Sequence, residues 1–457
     1  MKKYDILVIG SGAGMNVASD ALSNGFKVAL VDKGPLGGTC LNLGCIPSKL
    51  LIFPAERIAD IENSKKLGIE AEVNKVHFID IMERMRSAIK EDREDIQKGI
   101  KMAKKLDYFN GSGYFIDDYT IEVNGKKIFG EKIFIAAGAR PIIPNVKGLD
   151  KIEFLTNESI LELNDLPKSV VILGGGYIAC EYAHFLTSMG SAVTIIQRNE
   201  KLVANEEPEI SELLLKEMSK RMKVYTNTEV IEVTEKGNQI TVVGNNRGAN
   251  KKIKITAEKI LVAGGRVPNS DLLKVQNTGV ETDSKGFIKV NEFLQTSKKN
   301  IWAFGDIVGK YMFRHSANKE AAYAWHNSFH GKRLPMDYTA MPHAVFSYPE
   351  IASVGMTERE AKKKHSILIG YSNYNSVAKG IAMLEEETFA KAIVDKESGK
   401  ILGFHIIGPY ASILIQEVIN AMANNLNYKA IFKGVHIHPA LSELITSTLG
   451  NLMETKD

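Results

Sequence analysis

Short apolar runs set the hydrophobic pattern of this chain. Asp5 to Ile9 is one, Lys27 to Val31 a second and Lys132 to Ala137 a third. Runs of this length without polar alternation predict strands buried on both faces of a parallel sheet. Ser169 to Leu173 and Ala192 to Ile196 repeat the pattern in the middle of the chain. From Val76 to Leu106 the period changes. Ile81, Met85, Ile89 and Ile96 fall at helical spacing among charged residues, which predicts a long amphipathic helix with one solvated face. Tyr108 to Val123 reads as a hairpin-rich β segment, and Pro141 and Pro144 mark a domain edge.

Two of these strands run into glycine-rich turns that open helices. Ile9 leads into Gly10-Ser-Gly12-Ala-Gly14-Met15, then a helix to about Asn24, then a strand ending in Asp32. Strand, turn, helix, strand and acid in this order mark a dinucleotide-binding unit. Gly10 permits the tight turn, Gly12 lets the backbone approach a pyrophosphate, and the helix N-terminus faces the anion. Asp32, 20 residues beyond Gly12, is spaced to accept from a ribose hydroxyl. The third motif position is Met15 rather than Gly or Ala, so the close helix–strand contact is left to Gly14. The second unit carries Gly174-Gly-Gly176-Tyr177-Ile178-Ala179, with the permitted Ala in third place. Its paired strand ends in Gln197-Arg198-Asn199-Glu200-Lys201, with no acid where an NAD enzyme carries one. An arginine there accepts a 2′-phosphate that an acid would repel, so NADP is favoured over NAD. The other reading, a surface Arg198 with Gln197 on a ribose hydroxyl, leaves NAD open.

Composition narrows the class. A chain of 457 residues is long for one core and predicts two or three domains. It is 44% apolar and 25% charged with a net charge of +4, an ordinary globular balance. No basic stripe interleaves with aromatics, which argues against nucleic acid. No apolar run approaches the ~18 residues of a membrane span. The first apolar run is too short for a signal peptide. Three cysteines do not make a secreted disulfide framework, so a cytoplasmic protein is expected. No metal site is expected. Cys180, alone on the second helix, reads as a buried structural thiol.

The other two cysteines, Cys40 and Cys45, sit in Gly37-Gly-Thr-Cys-Leu-Asn-Leu-Gly-Cys-Ile-Pro-Ser-Lys49. Helical residues five apart lie roughly 140° apart around the axis, so the two can meet only across a distorted turn. Gly44 and Pro47 supply that freedom. So small a ring is a poor staple, and a strained pair near a helix terminus is easily reduced. A working redox pair is predicted, and its place after the first acid suggests that the first nucleotide is a flavin.

Taken together, these segments resemble the class I pyridine nucleotide–disulfide oxidoreductases. Thr296-x4-Ile301-Trp-Ala-Phe-Gly305-Asp306, His315-Ser-Ala317 and Glu320 are similar to that family's second flavin motif. Ala263-Gly-Gly265-Arg266-Val-Pro268-Asn269 resembles its nicotinamide-side segment, Phe346 to Gly355 the start of its dimerisation domain, and His436-Ile-His438-Pro439-Ala-Leu-Ser-Glu443 its catalytic base. The resemblance implies an α/β fold with two Rossmann-like domains and a C-terminal α+β dimerisation domain. FAD would be held by 1–147 and 280–337 and NAD(P) by 148–279, with 338–457 forming the interface of a homodimer. It implies Cys45 as the flavin-side thiol, Cys40 as the interchange thiol, and His438, held by Glu443, as a proton shuttle supplied by the partner subunit. Lys49 paired with Glu181 would sit at the reactive edge of the flavin. Asp306 would hold the ribityl chain, and the Met312, Phe313, Arg314 and His315 backbone would face the flavin. Lys33, Gly38, Thr39, Gly113, Ala137 and Gly138 would complete the flavin site. Gly174, Gly176, Tyr177, Ile178, Gln197, Arg198, Val230 and Gly265 would serve NAD(P). Within the family the chain is most similar to dihydrolipoamide dehydrogenases and mycothione reductases. Oxidation of dihydrolipoamide, free or on a lipoyl domain, is the first reading, and NADPH-dependent reduction of a low-molecular-weight disulfide the second. An oxidase in which the pair is idle is the reading from another class.

Overall fold

The computed structural model describes residues 1–249 and 251–454. Each predicted buried run is a strand. β1 (Lys2–Ile9) leads through α1 (Gly14–Ser23) to β2 (Val28–Asp32). The redox segment follows as two helices, α2 (Gly38–Leu43) and α3 (Cys45–Asn63). α4 (Phe78–Met102) is the predicted amphipathic helix, burying Phe78, Met82, Met85 and Ile89. Then come β3 (Leu106–Asn110), β4 (Tyr114–Asp117), β5 (Thr120–Val123) and β6 (Lys126–Ile135). The sheet order is β3-β2-β1-β6-β5-β4. The hairpin-rich reading of Tyr108 to Val123 is corrected in part. Only β4 and β5 form a hairpin there, while β3 pairs in parallel with β2. Parallel pairing is made with a distant strand and leaves no mark in the local pattern.

After β7 (Ala139–Pro141) the chain builds a second unit. It consists of β8 (Ser169–Leu173), α5 (Tyr177–Met189), β9 (Ala192–Ile196), α6 (Pro208–Arg221) and β10 (Lys223–Tyr225). A meander of β11 (Thr228–Lys236), β12 (Gln239–Asn246) and β13 (Lys251–Ala257) follows. β14 (Lys259–Val262) then completes the parallel order β10-β9-β8-β14. The chain returns through β15 (Arg266–Pro268), antiparallel to β7, and β16 (Ile301–Ala303) joins β6 in the first sheet. The last sheet is antiparallel, built from β17 (Pro342–Val345), β18 (Ile351–Gly355), β19 (Ile367–Asn373), β20 (Phe389–Asp395), β21 (Ile401–Ile407) and β22 (Met453–Glu454) in the order β17-β18-β21-β20-β19-β22.

One core joins the redox helix to the second unit. Leu51 and Ala55 of α3 pack with Ala179, Cys180 and Phe185 of α5, all fully buried. Cys180 is therefore the structural thiol expected. Among the described residues no helix is long and apolar enough to cross a membrane.

Candidate active site

The two glycine-rich turns are built alike. Gly10 has φ +104° and Gly174 φ +128°. A Cβ on Gly10 would overlap the Ala136 carbonyl oxygen, and one on Gly174 the Ala263 carbonyl oxygen. Only glycine tolerates both the left-handed φ and that close approach. Gly14 does take the contact that Met15 cannot. A Cβ on Gly14 would stand 2.8 Å from Val8 Cγ1 and 3.3 Å from Ala136 Cβ. At Gly12 the nearest atom to such a Cβ is 3.8 Å away, and at Gly176 nothing lies within 4 Å, so both backbones are open to a ligand. Gly38 (φ +67°) lets α2 cross the first turn, since its Cβ would lie 2.7 Å from Gly12 Cα. Asp32 accepts from Ser11 N and Ser11 Oγ, both at 2.6 Å, and from Gly34 N at 2.9 Å.

A cavity of about 1500 Å³ starts at this turn, larger than a drug-sized pocket. Gly10, Gly12, Asp32, Lys33, Gly38 and Thr39 form its near end. Gly113, Ala137 and Gly138 line its wall, and at Gly138 (φ +66°) the space a Cβ would take is empty. Asp306, Met312, Phe313, Arg314 and His315 line it further in. Cys40, Cys45, Lys49, Tyr177, Ile178 and Glu181 lie at the end towards the second unit. Burial raises the Asp306 carboxyl, opposed in part by Arg266, whose Nε is 3.5 Å away and has no hydrogen-bond partner. Open glycine backbones, an acid at the end of β2 and an orphaned buried guanidinium nitrogen fit an extended dinucleotide such as FAD.

Gly44 (φ −144°, ψ −111°) breaks the helix between the two cysteines, the distortion that their spacing requires. A Cβ there would stand 3.1 Å from Thr39 O. Both cysteines are free thiols, and the Cys40 thiol hydrogen-bonds to the Cys45 sulfur. That bond, with the Lys49 charge against burial and Glu181, holds Cys45 down to about 7. The same bond and burial push Cys40 well above its ordinary value. Lys49 Nζ lies 2.9 Å from Glu181 Oε2, the pairing expected, and 4.5 Å from the centre of the Phe346 ring. Phe346 N donates to Glu181 Oε1 at 3.1 Å.

His438 stands apart. It does not line the cavity, and its side chain is 72% exposed on a segment that also exposes Val435 and Ile437. Its Nδ1 is 2.9 Å from Glu443 Oε1, and Glu443 also accepts from Ala440 N at 3.0 Å. These two bonds, the backbone one first, hold the Glu443 carboxyl below its usual range. His436 bonds instead to Glu417 at 3.0 Å. Gly174, Gly176, Gln197, Arg198, Val230 and Gly265 do not line the cavity either. They stand on the second unit, where Gln197 packs under Gly175 and Arg198 is exposed. Thr228 N donates to Gln197 O at 2.9 Å, which sets Val230 on the strand beside that turn. The sequence did not flag Ser11, Phe346 or the Arg266 side chain as site groups, since no local period marks a contact made across elements.

The family model described as pyridine nucleotide-disulphide oxidoreductase matches residues 4–321, and that of the family's dimerisation domain matches 341–449. The chain belongs to the pyridine nucleotide-disulphide oxidoreductases. It is 31% identical to mycothione reductase of Mycobacterium tuberculosis, over 98% of this chain and 99% of the relative. To dihydrolipoyl dehydrogenase of Geobacillus stearothermophilus it is 34% identical, over 96% and 94%. The HOCl-induced flavoprotein disulfide reductase RclA of Escherichia coli matches with a TM-score of 0.86 at 26% identity, covering 98% and 99%. Like other members of the family, this oxidoreductase is a flavoprotein enzyme with NAD(P) as nucleotide partner, and it carries the family's dimerisation domain.

Proposed function

We propose that the chain uses NADP(H) and FAD to reduce a low-molecular-weight disulfide through the Cys40–Cys45 pair. The units are 1–147 with 280–337 for FAD, 148–279 for NADP(H) and 338–457 for the homodimer interface. The observation that carries the NADP(H) reading is the end of β9. The first unit has the Asp32 carboxylate against its glycine-rich turn, whereas the second ends in Gln197 and an exposed Arg198 with no ion pair among the described residues. When bound, FAD passes the electron pair of the nicotinamide hydride to the cysteine pair.

The protein's own groups then do the following. Lys49, oriented by Glu181, holds the Cys45 thiolate. The Cys40 thiol, pushed up by its bond to Cys45, needs a base, and His438 of a second copy, held in tautomer by Glu443, supplies it. Cys40 attacks the substrate disulfide and releases one thiol, which takes its proton from His438. Cys45 then attacks the Cys40 sulfur, releasing the second thiol and restoring the intramolecular disulfide. The balance is NADPH + H⁺ + RSSR → NADP⁺ + 2 RSH.

A second reading, oxidation of dihydrolipoamide, is favoured by the likeness of Ile401–Ile407, Gly408-Pro409 and His438-Pro439-x-Leu441-Ser442-Glu443 to dihydrolipoamide dehydrogenases. Initial rates separate the two: dihydrolipoamide with NAD⁺ or NADP⁺, and a panel of small disulfides with NADH or NADPH. Fast NADPH-driven disulfide reduction with slow dihydrolipoamide turnover is expected, and the reverse would establish the second reading. Cys40→Ser should abolish either activity. Retained turnover in that variant would mark an oxidase in which the pair is idle.

A further inference from the structure

Besides the pairs His438–Glu443 and His436–Glu417, a buried histidine–carboxylate pair joins the second nucleotide unit to β17 of the last sheet. Glu206 belongs to the segment joining β9 to α6, and its side chain is only 4% exposed. It is hydrogen-bonded to His343 Nε2 and accepts from Ser353 Oγ at 2.6 Å. The other side of His343 faces the flavin cavity. There its ring stacks on Phe313, with centroids 5.7 Å apart and planes at 10°. Phe313 stacks in turn on His315, 5.6 Å away at 5°. His315 Nε2 lies 2.7 Å from the carbonyl of Pro342, the neighbour of His343, which closes the three rings into one packet.

The same segment grips the second glycine-rich turn. Val203 N donates to Gly175 O at 2.7 Å, and Leu202 Cδ2 stands 2.8 Å from where a Gly175 Cβ would be. Glu207, next along, meets the buried Lys391 at 2.6 Å and accepts from Glu358 N at 2.6 Å. An unbroken path of packed and hydrogen-bonded groups thus runs from the Gly174–Gly176 turn, through Glu206 and His343, to the Phe313 segment. An apolar joint would exclude water equally well, whereas a buried carboxylate bonded to His343 fixes the orientation of that ring at a desolvation cost.

We propose that Glu206 and His343 are a positioning pair that couples occupancy of the pyridine-nucleotide turn to the setting of the 312–315 backbone against the flavin. Neither side chain is assigned contact with the reacting atoms. The inference rests on the reading that the second turn holds the pyridine nucleotide.

The test uses the FAD-loaded protein. NADP⁺ is titrated into the oxidised form while the flavin absorption band is followed, and steady-state rates are taken with NADPH. His343→Gln keeps a donor for Glu206 and loses the stacked ring. Glu206→Gln loses the charge. Ser353→Ala removes the other partner of Glu206 and leaves the His343 contact. His343→Gln and Glu206→Gln should retain FAD, lose the nucleotide-induced change in the flavin band and raise the NADPH KM about tenfold, within the usual size of coupling between sites. The effect on kcat should be smaller, and Ser353→Ala should behave as wild type. His343 is partly open to the cavity, so His343→Gln carries the test if Glu206→Gln does not fold. A wild-type band shift and KM in His343→Gln would overturn the coupling, as would an equal loss in Ser353→Ala, which would mean that the segment merely loosens. Wild-type protein that turns over NADPH without any change in the flavin band would also overturn it. No turnover with either nucleotide would overturn the reading beneath it.

Discussion

At the scale of single residues, the two redox thiols are made unequal by one shared proton. Cys45 is held to about 7, first by the hydrogen bond from Cys40 and then by the Lys49 charge, while Cys40 is pushed up by the same bond. In the reduced protein, the first thiolate to form as pH rises is therefore that of Cys45. Lys49→Met should move its midpoint above about 7, because it removes a favourable charge and leaves Glu181 opposing. Following thiolate ultraviolet absorbance against pH checks this, and an unmoved midpoint would show that the hydrogen bond acts alone. The sequence placed the pair and named Lys49 and Glu181, which meet at 2.9 Å across 132 positions of chain. It could not order the two acidities, since that depends on which sulfur donates.

At the scale of elements, the end of β9 is the place we propose for coenzyme choice. Gln197 and Arg198 follow the last paired residue of that strand, Ile196, which faces Leu173 of β8 and Tyr225 of β10. Gln197→Glu combined with Arg198→Ala should shift preference towards NAD, since the acid repels a 2′-phosphate and the cation that accepts it is gone. The ratio of kcat/KM for NADPH and NADH reads the shift, and an unchanged ratio would move the ribose site elsewhere. Elements of this kind were legible because their signals are local: unbroken apolar runs for β1, β2, β8 and β9, helical spacing for α4, glycines at the turns. The parallel pairing of β3 was not, nor was the Glu206–His343 contact, made between residues 137 apart. Such contacts are decided by how finished elements pack and leave no period in the chain.

At the scale of the whole molecule, the groups proposed for catalysis are divided. The cysteines, Lys49 and Glu181 share one cavity, whereas His438 and Glu443 lie outside it on an exposed segment of the same chain. A dimer in which each copy lends its His438 to the other makes a sharp expectation. His438→Gln alone should lower disulfide turnover by on the order of 10², the usual weight of general acid–base catalysis, and Cys40→Ser should abolish it. Mixed and refolded together, the impaired and the inactive variant should regain activity, because one of the two sites in a hybrid dimer has both groups intact. No recovery would place the base within one chain. The matched turns at Gly10 and Gly174, each pressed against the carbonyl of a neighbouring strand end, have one more consequence. A chain that uses one device twice can let the copies diverge at their tips. The second copy differs from the first beyond the last rung of its strand, where substitution disturbs no pairing. Descendants of this protein can thus exchange one reductant for another while inheriting the sheets, the cysteines and the subunit contact unchanged.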